Sequence, residues 1–361
     1  MDEREDRFKT IEPVEPALTP LGTPPDAPLR SRAGDIIHTA PELAVGEADV
    51  RSAEAGEFVR GSSLWRDAWR RLLKNKLAVI GLVVVALLTF ASLLGPPIIK
   101  ATTGFTYDYI PREVELLKSF PPFTGVNGTF SWAHPMGTDN SGRDLLARVL
   151  LGGRISLMVG IIATLVSLVI GVSYGAVSGY LGGRADTLMM RVVDVLYSLP
   201  YIILVIVLLA MFRSSTAVGQ MVLLFLALGS VSWLTMARIV RGQVLSLKNQ
   251  EFVLAARATG VSGPRIVFRH LVPNALGPVI VYATLTIPAV MLQEAFLSFL
   301  GFGVQPPYAS WGSLAADGIQ NLGIFPWQLI FPGVTMALML FSLNFVGDGL
   351  RDALDPQMRK Q

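Results

Sequence analysis

The sequence predicts an all-α, polytopic membrane protein of six transmembrane helices behind a disordered N-terminal tail. Three observations carry that reading. Of 361 residues, 52% are hydrophobic and only 16% are charged, and the mean hydropathy is +0.51; an ordinary soluble domain is about 25% charged. Six runs approach the ~20 apolar residues that a spanning helix needs. These runs are continuously apolar rather than alternating with period two, which argues against a closed barrel.

Residues 1–60 carry seven Lys/Arg against thirteen Asp/Glu, while the rest of the chain is net basic. Seven prolines interrupt this acidic stretch, and it has no apolar period with which to bury a core, so a disordered cytoplasmic tail is expected. No apolar segment follows the opening charges, so it does not read as a signal peptide. Residues 61–76 form the next unit. Leu64, Trp65, Ala68, Trp69, Leu72 and Leu73 recur at helical spacing between Arg66, Arg70, Arg71 and Lys74. That pattern predicts a basic amphipathic helix against membrane lipid, or a helical extension of the first span.

The six-span domain is placed at 77–350, with spans at 77–99, 155–177, 196–212, 217–236, 276–300 and 327–346. The third is short and begins near Pro200. With the N-terminus inside, the cytoplasmic segments hold 17 Lys/Arg and the opposite side seven, so both termini, including the end at 351–361, are predicted to be cytoplasmic. An extracytoplasmic segment then falls at 100–154 and a cytoplasmic loop at 241–275. Gly160, Gly171, Gly175, Gly179 and Gly229 supply small surfaces for close helix packing in lipid. Gly301–Trp327 is expected to be an external loop, and Gly152-Gly153 and Gly182-Gly183 turns.

Little in the chain suggests catalysis. Cysteine is absent, which excludes disulfides and thiolate sites. His38, His134 and His270 are far apart in sequence, and no metal site is suggested. No G-x-x-x-x-G-K-[ST] loop occurs, so a Walker-type ATP site in this chain is not expected. Nor is a catalytic site, a cofactor or a nucleic-acid partner. Glu294 alone places a charge inside a span; a carboxylate partnered between helices is favoured over a pathway or gate role. An ion-coupled carrier usually carries several such groups at mid-membrane, which counts against a self-sufficient carrier or channel.

The most informative segment is the loop between spans four and five. A helix through Glu251, Ala255 and Ala256 is expected to end at Gly260, with Ser262 capping a second helix, Pro264 in its first turn and Pro273 ending it before Asn274. Ala255, Ala256 and Ala258 would give this knob a flat face for close contact.

Ala255-Ala256, then Gly260, then Val272-Pro273 resemble the cytoplasmic EAA loop of binding-protein-dependent ABC importer permeases. Leu254 stands where a glutamate often precedes the alanines. His134-Pro135-Met136-Gly137-Thr138-Asp139 with Gly142-Arg143-Asp144, then Gly153-Arg154-Ile155-Ser156-Leu157, Ser198-Leu199-Pro200 and Glu294-Ala295 through Gly301 are similar to the dipeptide/oligopeptide/nickel C-type subfamily. Together they run from Trp65 to Pro356. The resemblance implies a type I ABC importer permease fold in the inner membrane. It also implies a subunit paired with a homologous permease, two cytoplasmic ATPase subunits that bind ATP and Mg²⁺, and an extracytoplasmic solute-binding protein. Glu251, Ala255, Ala256, Gly260, Pro273 and Asn274 would lie in the ATPase-coupling loop, and peptides would be the cargo.

Overall fold

The structure, a computed structural model, describes residues 64–111, 119–125 and 128–354. The acidic tail and residues 355–361 lie outside the described residues. Eleven helices are described: α1 (Leu64–Lys74), α2 (Lys76–Thr103), α3 (Leu145–Leu181), α4 (Gly183–Ser198), α5 (Tyr201–Met211), α6 (Ala217–Leu247), α7 (Glu251–Ala258), α8 (Gly263–Ile266), α9 (Val272–Phe299), α10 (Trp311–Gln320) and α11 (Trp327–Leu354). Among the described residues no β-strand forms, only two isolated bridges.

Among the described residues five helices are long and apolar enough to cross a membrane, or six if one bent pair counts as a span. That pair corrects the expected third span. Residues 196–212 are not one helix, because α4 and α5 meet at 88°. The cause is local: proline fixes its own φ, lacks an N–H and disfavours helical geometry in the preceding residue. Leu199 accordingly sits at φ −77°, ψ 137° before Pro200. The 11 residues of α5 rise roughly 16 Å, which is too short to cross the ~30 Å hydrocarbon core alone.

Other boundaries also move. Asn75 separates α1 from α2 and caps the latter, its side chain accepting from the N–H groups of Leu77 and Ala78 at 3.1 and 3.3 Å. The first helix is therefore no extension of the span; it buries Ala68 and Leu72 with Ala78 and Ala353 and leaves Trp69 and Leu73 exposed. Asp144 caps α3 by accepting from Ala147 N–H at 2.8 Å, so the stretch before the second span and the span itself form one 37-residue helix.

α3 and α6 form the spine of the molecule. A side chain at Gly171 would stand 2.6 Å from Met236 Cβ, one at Gly179 2.9 Å from the Arg241 carbonyl, and one at Gly175 would overlap the Ala237 carbonyl. These glycines, four residues apart on one helix face, let the two backbones touch. Gly229 of α6 makes the reciprocal approach to Ala163 and Val166. The buried side chains Val159, Ala163, Leu228 and Val231 continue the contact in one cluster with Val290 and Leu297 of α9.

Gly301–Trp327 is more than a loop. It contains α10, whose Trp311 is fully buried and donates from Nε1 to the Val149 carbonyl at 2.8 Å. Gly152 and Gly153 are accordingly not turn residues: they lie inside α3, where Ser310 and Trp311 press against their backbone. Gly182 and Gly183 do turn the chain, at φ +66° and +55° between α3 and α4. Replacing Gly175 with leucine is expected to lower stability by about 1–3 kcal/mol, read as a lower thermal midpoint of the detergent-purified protein. Leu338→Ala on the exposed face of α11 should leave that midpoint nearly unchanged.

Candidate functional site

The candidate site is the knob built by α7 and α8 at one end of the spine. α7 is eight residues long, with Glu251 in its first turn, where a negative charge complements the exposed N–H groups. The chain reverses at Gly260, whose φ of +79° is a left-handed conformation that a β-branched side chain resists. Val261 N–H donates back to the Ala256 carbonyl at 3.0 Å, closing the corner. Ser262 holds the position before α8, but its side chain makes no capping bond; Pro264 sits in the first turn of α8.

Pro273 does not end the second helix, contrary to the sequence expectation. α8 passes through a wide π turn at Val267–Leu271 into α9, and Val272 N–H reaches back five residues to the Val267 carbonyl. A proline in a regular helix clashes with the carbonyl four residues earlier; the wide turn just before Pro273 relieves this crowding. Asn274 Nδ2 donates to the His270 carbonyl at 2.6 Å. Gly263–Phe299 is consequently one continuous rod from the knob through a membrane-crossing segment.

The knob is seated on the spine. Val253 and Ala256 share a buried cluster with Ile266, Val267, Leu271, Val240 and Val244. The Arg257 guanidinium lies 5.4 Å from the Tyr180 ring centroid of α3, and Lys248 Nζ donates to the Gly179 carbonyl at 3.1 Å. Ala256 therefore faces inward, which corrects the flat outward face expected of all three alanines; Ala255 and Ala258 are exposed. The exposed surface instead carries Phe252, Leu254 and Phe268, beside the exposed Arg257, Arg265 and Arg269. Apolar groups gathered on a cationic rim mark a contact surface. Sequence reasoning missed Leu254 and Phe268 as part of it, although the buried phase of Val253 and Ala256 would have predicted their outward direction.

Glu294 lies elsewhere, wholly buried between α9 and the start of α10. Its Oε1 accepts from Ser298 Oγ and Ser310 Oγ, each at 2.7 Å. Ser310 in turn forms a capping box with Ser313 at the N-terminus of α10, and Trp311 N–H donates to Ser156 Oγ at 3.0 Å. Glu294 thus ties α9 to α10, which in turn is tied to α3.

At the end opposite the knob, Asp139 accepts from Arg143 Nε at 2.7 Å and from the buried Arg148. Asp144 pairs with His134 Nδ1 at 2.9 Å, and the Thr138 carbonyl accepts from Trp327 Nε1 and Gln328 Nε2 at 3.3 and 3.1 Å. Burial pushes the nearby Asp317 carboxyl up, with the Arg148 guanidinium pulling it back. These motif residues fold one end of the molecule onto α3 and α11.

Comparison with known proteins follows from this geometry. Residues 167–360 match the family described as the binding-protein-dependent transport system inner membrane component, and residues 63–118 match the N-terminal TM domain of oligopeptide transport permease C. The chain is 49% identical over 302 residues to the oligopeptide transport system permease protein OppC of Escherichia coli K12, covering 83% of this chain and 94% of that protein. It is 46% identical to OppC of Haemophilus influenzae, covering 83% and 91%. Identity to the dipeptide transport system permease protein DppC of Bacillus subtilis is 43%, covering 86% and 91%. With membrane-crossing helices arranged around a knob carrying the Ala255-Ala256 and Gly260 pattern, the chain belongs to the family of inner membrane components of binding-protein-dependent transport systems.

Proposed function

We propose that this protein is the permease subunit of an ATP-driven importer of di- and oligopeptides, coupled to an ATPase subunit through α7 and α8. The observation that carries the proposal is mechanical. An exposed apolar and cationic surface stands on a packed knob whose second helix runs without interruption into a membrane span. A push on Phe252, Leu254 or Phe268 is transmitted through Val253 and Ala256 into the buried cluster and along Gly263–Phe299. The Arg257–Tyr180 and Lys248–Gly179 contacts carry the same push to α3. The peptide cargo is proposed on the names of the OppC and DppC relatives.

In this reading a homologous permease completes the membrane pathway. Two ATPase subunits bind ATP and Mg²⁺ at the knob end, and an extracytoplasmic solute-binding protein delivers cargo at the other. The Lys/Arg distribution supports both termini and the knob being cytoplasmic. Glu251, Ala255, Gly260, Pro273 and Asn274 belong to the coupling segment; Ala256 contributes by holding α7 in place.

Two sets of measurements test this. Reporter fusions at Thr216 and Gln320 should report the outside and one at Ser262 the inside; an external Ser262 ends the coupling argument. Ala255→Glu should cut ATPase co-purification and peptide uptake while leaving insertion and thermal stability intact, because Ala255 touches the partner and not the core. Gly260→Val is strained by about 1–3 kcal/mol. Among the described residues no neighbour stands within 4 Å of an added side chain there, so backbone strain alone should misdirect α8 and produce the same transport loss. Ala256→Glu should instead lower the thermal midpoint first, since it buries a charge in the cluster. Met221→Leu in α6 should be nearly silent. Normal uptake and co-purification in both Ala255→Glu and Gly260→Val would return the chain to the self-sufficient carrier class.

A further inference from the structure

Beside the Leu199-Pro200 corner lies a cavity of about 460 Å³ between α4, α5, α6 and α9, within the range of small-ligand sites. Among the described residues no Asp, Glu, Lys or Arg lines it. Its polar wall includes Tyr201, Ser232, Thr235, Tyr282, Thr286 and Gln293, with Tyr197 beside the corner. On α9 the lining residues are Tyr282, Leu285, Thr286, Ala289, Val290 and Gln293, one face of the helix. Ser232 and Thr286 donate to the backbone of their own helices at 2.8 Å each, which leaves their oxygens as acceptors. Gln293 differs, because among the described residues its Oε1 has no partner and is closed off from solvent, so a ligand meets it once the carboxamide turns into the cavity. Its neighbour Glu294 points away into the α10 junction.

We infer that this cavity is a binding site for the main chain of a short peptide, with the Gln293 carboxamide as its principal hydrogen-bonding group. The inference rests on the proposed function. An amide side chain offers one acceptor and two donors, the complement of a peptide group. Hydroxyl oxygens of Ser232 and Thr286 accept further N–H groups, and Tyr282 and Thr235 donate to carbonyls. An acyl chain would leave the Gln293 carboxamide and the Tyr282 and Thr235 hydroxyls without partners at a free-energy cost. From Tyr282 to Gln293 α9 rises roughly 16 Å, the length of about five residues of extended chain. The wall carries no charge of its own, and Arg238 against the Tyr197 ring is already paired with Asp194 at 2.9 Å, so peptides of either charge should use it alike.

The chain has no cysteine, so Thr235→Cys or Ser232→Cys places a unique thiol on this subunit in the wall. In the assembled importer reconstituted in lipid nanodiscs, a water-soluble methanethiosulfonate should modify either thiol, and saturating tri-alanine should slow modification about tenfold. Gln293→Leu should lower uptake of tri-alanine, tri-lysine and tri-glutamate by a similar factor of about ten, with co-purified ATPase unchanged. Modification at one rate with and without tri-alanine, in a complex that transports it, overturns the assignment while sparing the importer reading. So does a thiol reached only by a membrane-partitioning maleimide, which would identify a lipid occupant, and so does undiminished uptake by Gln293→Leu. A wild-type complex that takes up none of the three peptides overturns the importer reading and this site together.

Discussion

The contact between the backbones of α3 and α6 is the constraint on which the rest of the molecule depends. Lipid gives two apolar helices little reason to associate, so close van der Waals approach must supply it. Gly171, Gly175 and Gly179 remove the side chains that would keep the axes apart. Once the two helices touch, their far ends form the seat for α7 and α8, through Val240, Val244 and the Gly179–Tyr180 corner. Their other side forms the wall on which α9 packs. The knob therefore sits on this contact, and α6 and α9 extend from it to line the cavity.

A second tie joins segments far apart in the chain. Glu294 accepts from Ser310, Ser310 caps α10, and Trp311 is held by Ser156 and Val149. Both hydroxyls converge on Oε1, while Oε2 is buried with no partner among the described residues; burying a carboxylate is costly, and the two bonds offset part of that cost. This arrangement brings a glycine- and proline-rich connection into the helix bundle and fixes the face of α9 that carries Gln293. One face of that helix is thereby committed to structure, leaving the adjacent stripe open toward the cavity.

Much of this was legible in the sequence because it depends on local pattern. Long apolar runs declare membrane helices, and small residues four apart on α3 declare a packing face. The corner at Gly260 also shows in local sequence. What the sequence hid depends on distant partners. α10 has the composition of a loop, and its helix is stabilised by Ser156 and Val149 from more than 150 residues away. The inward turn of Ala256 needs Val267 and Leu271 on the other side of the corner. Pro273 reads as a stop, and only the π turn before it allows the helix to continue. Pro200 was visible at the edge of the third apolar run, yet hydropathy has no sensitivity to the direction of the chain and could not register an 88° bend.

That bend has a consequence for solvation. The first turn of α5 exposes backbone N–H groups that no preceding helix satisfies, and Pro200 offers no side-chain cap. In hydrocarbon each such orphan costs several kcal/mol, so irregular backbone at membrane depth survives only against protein or water. Leu199 and Tyr201 border the cavity, which places the dangling amides next to its interior. The cavity is therefore where these amides can find a partner other than lipid.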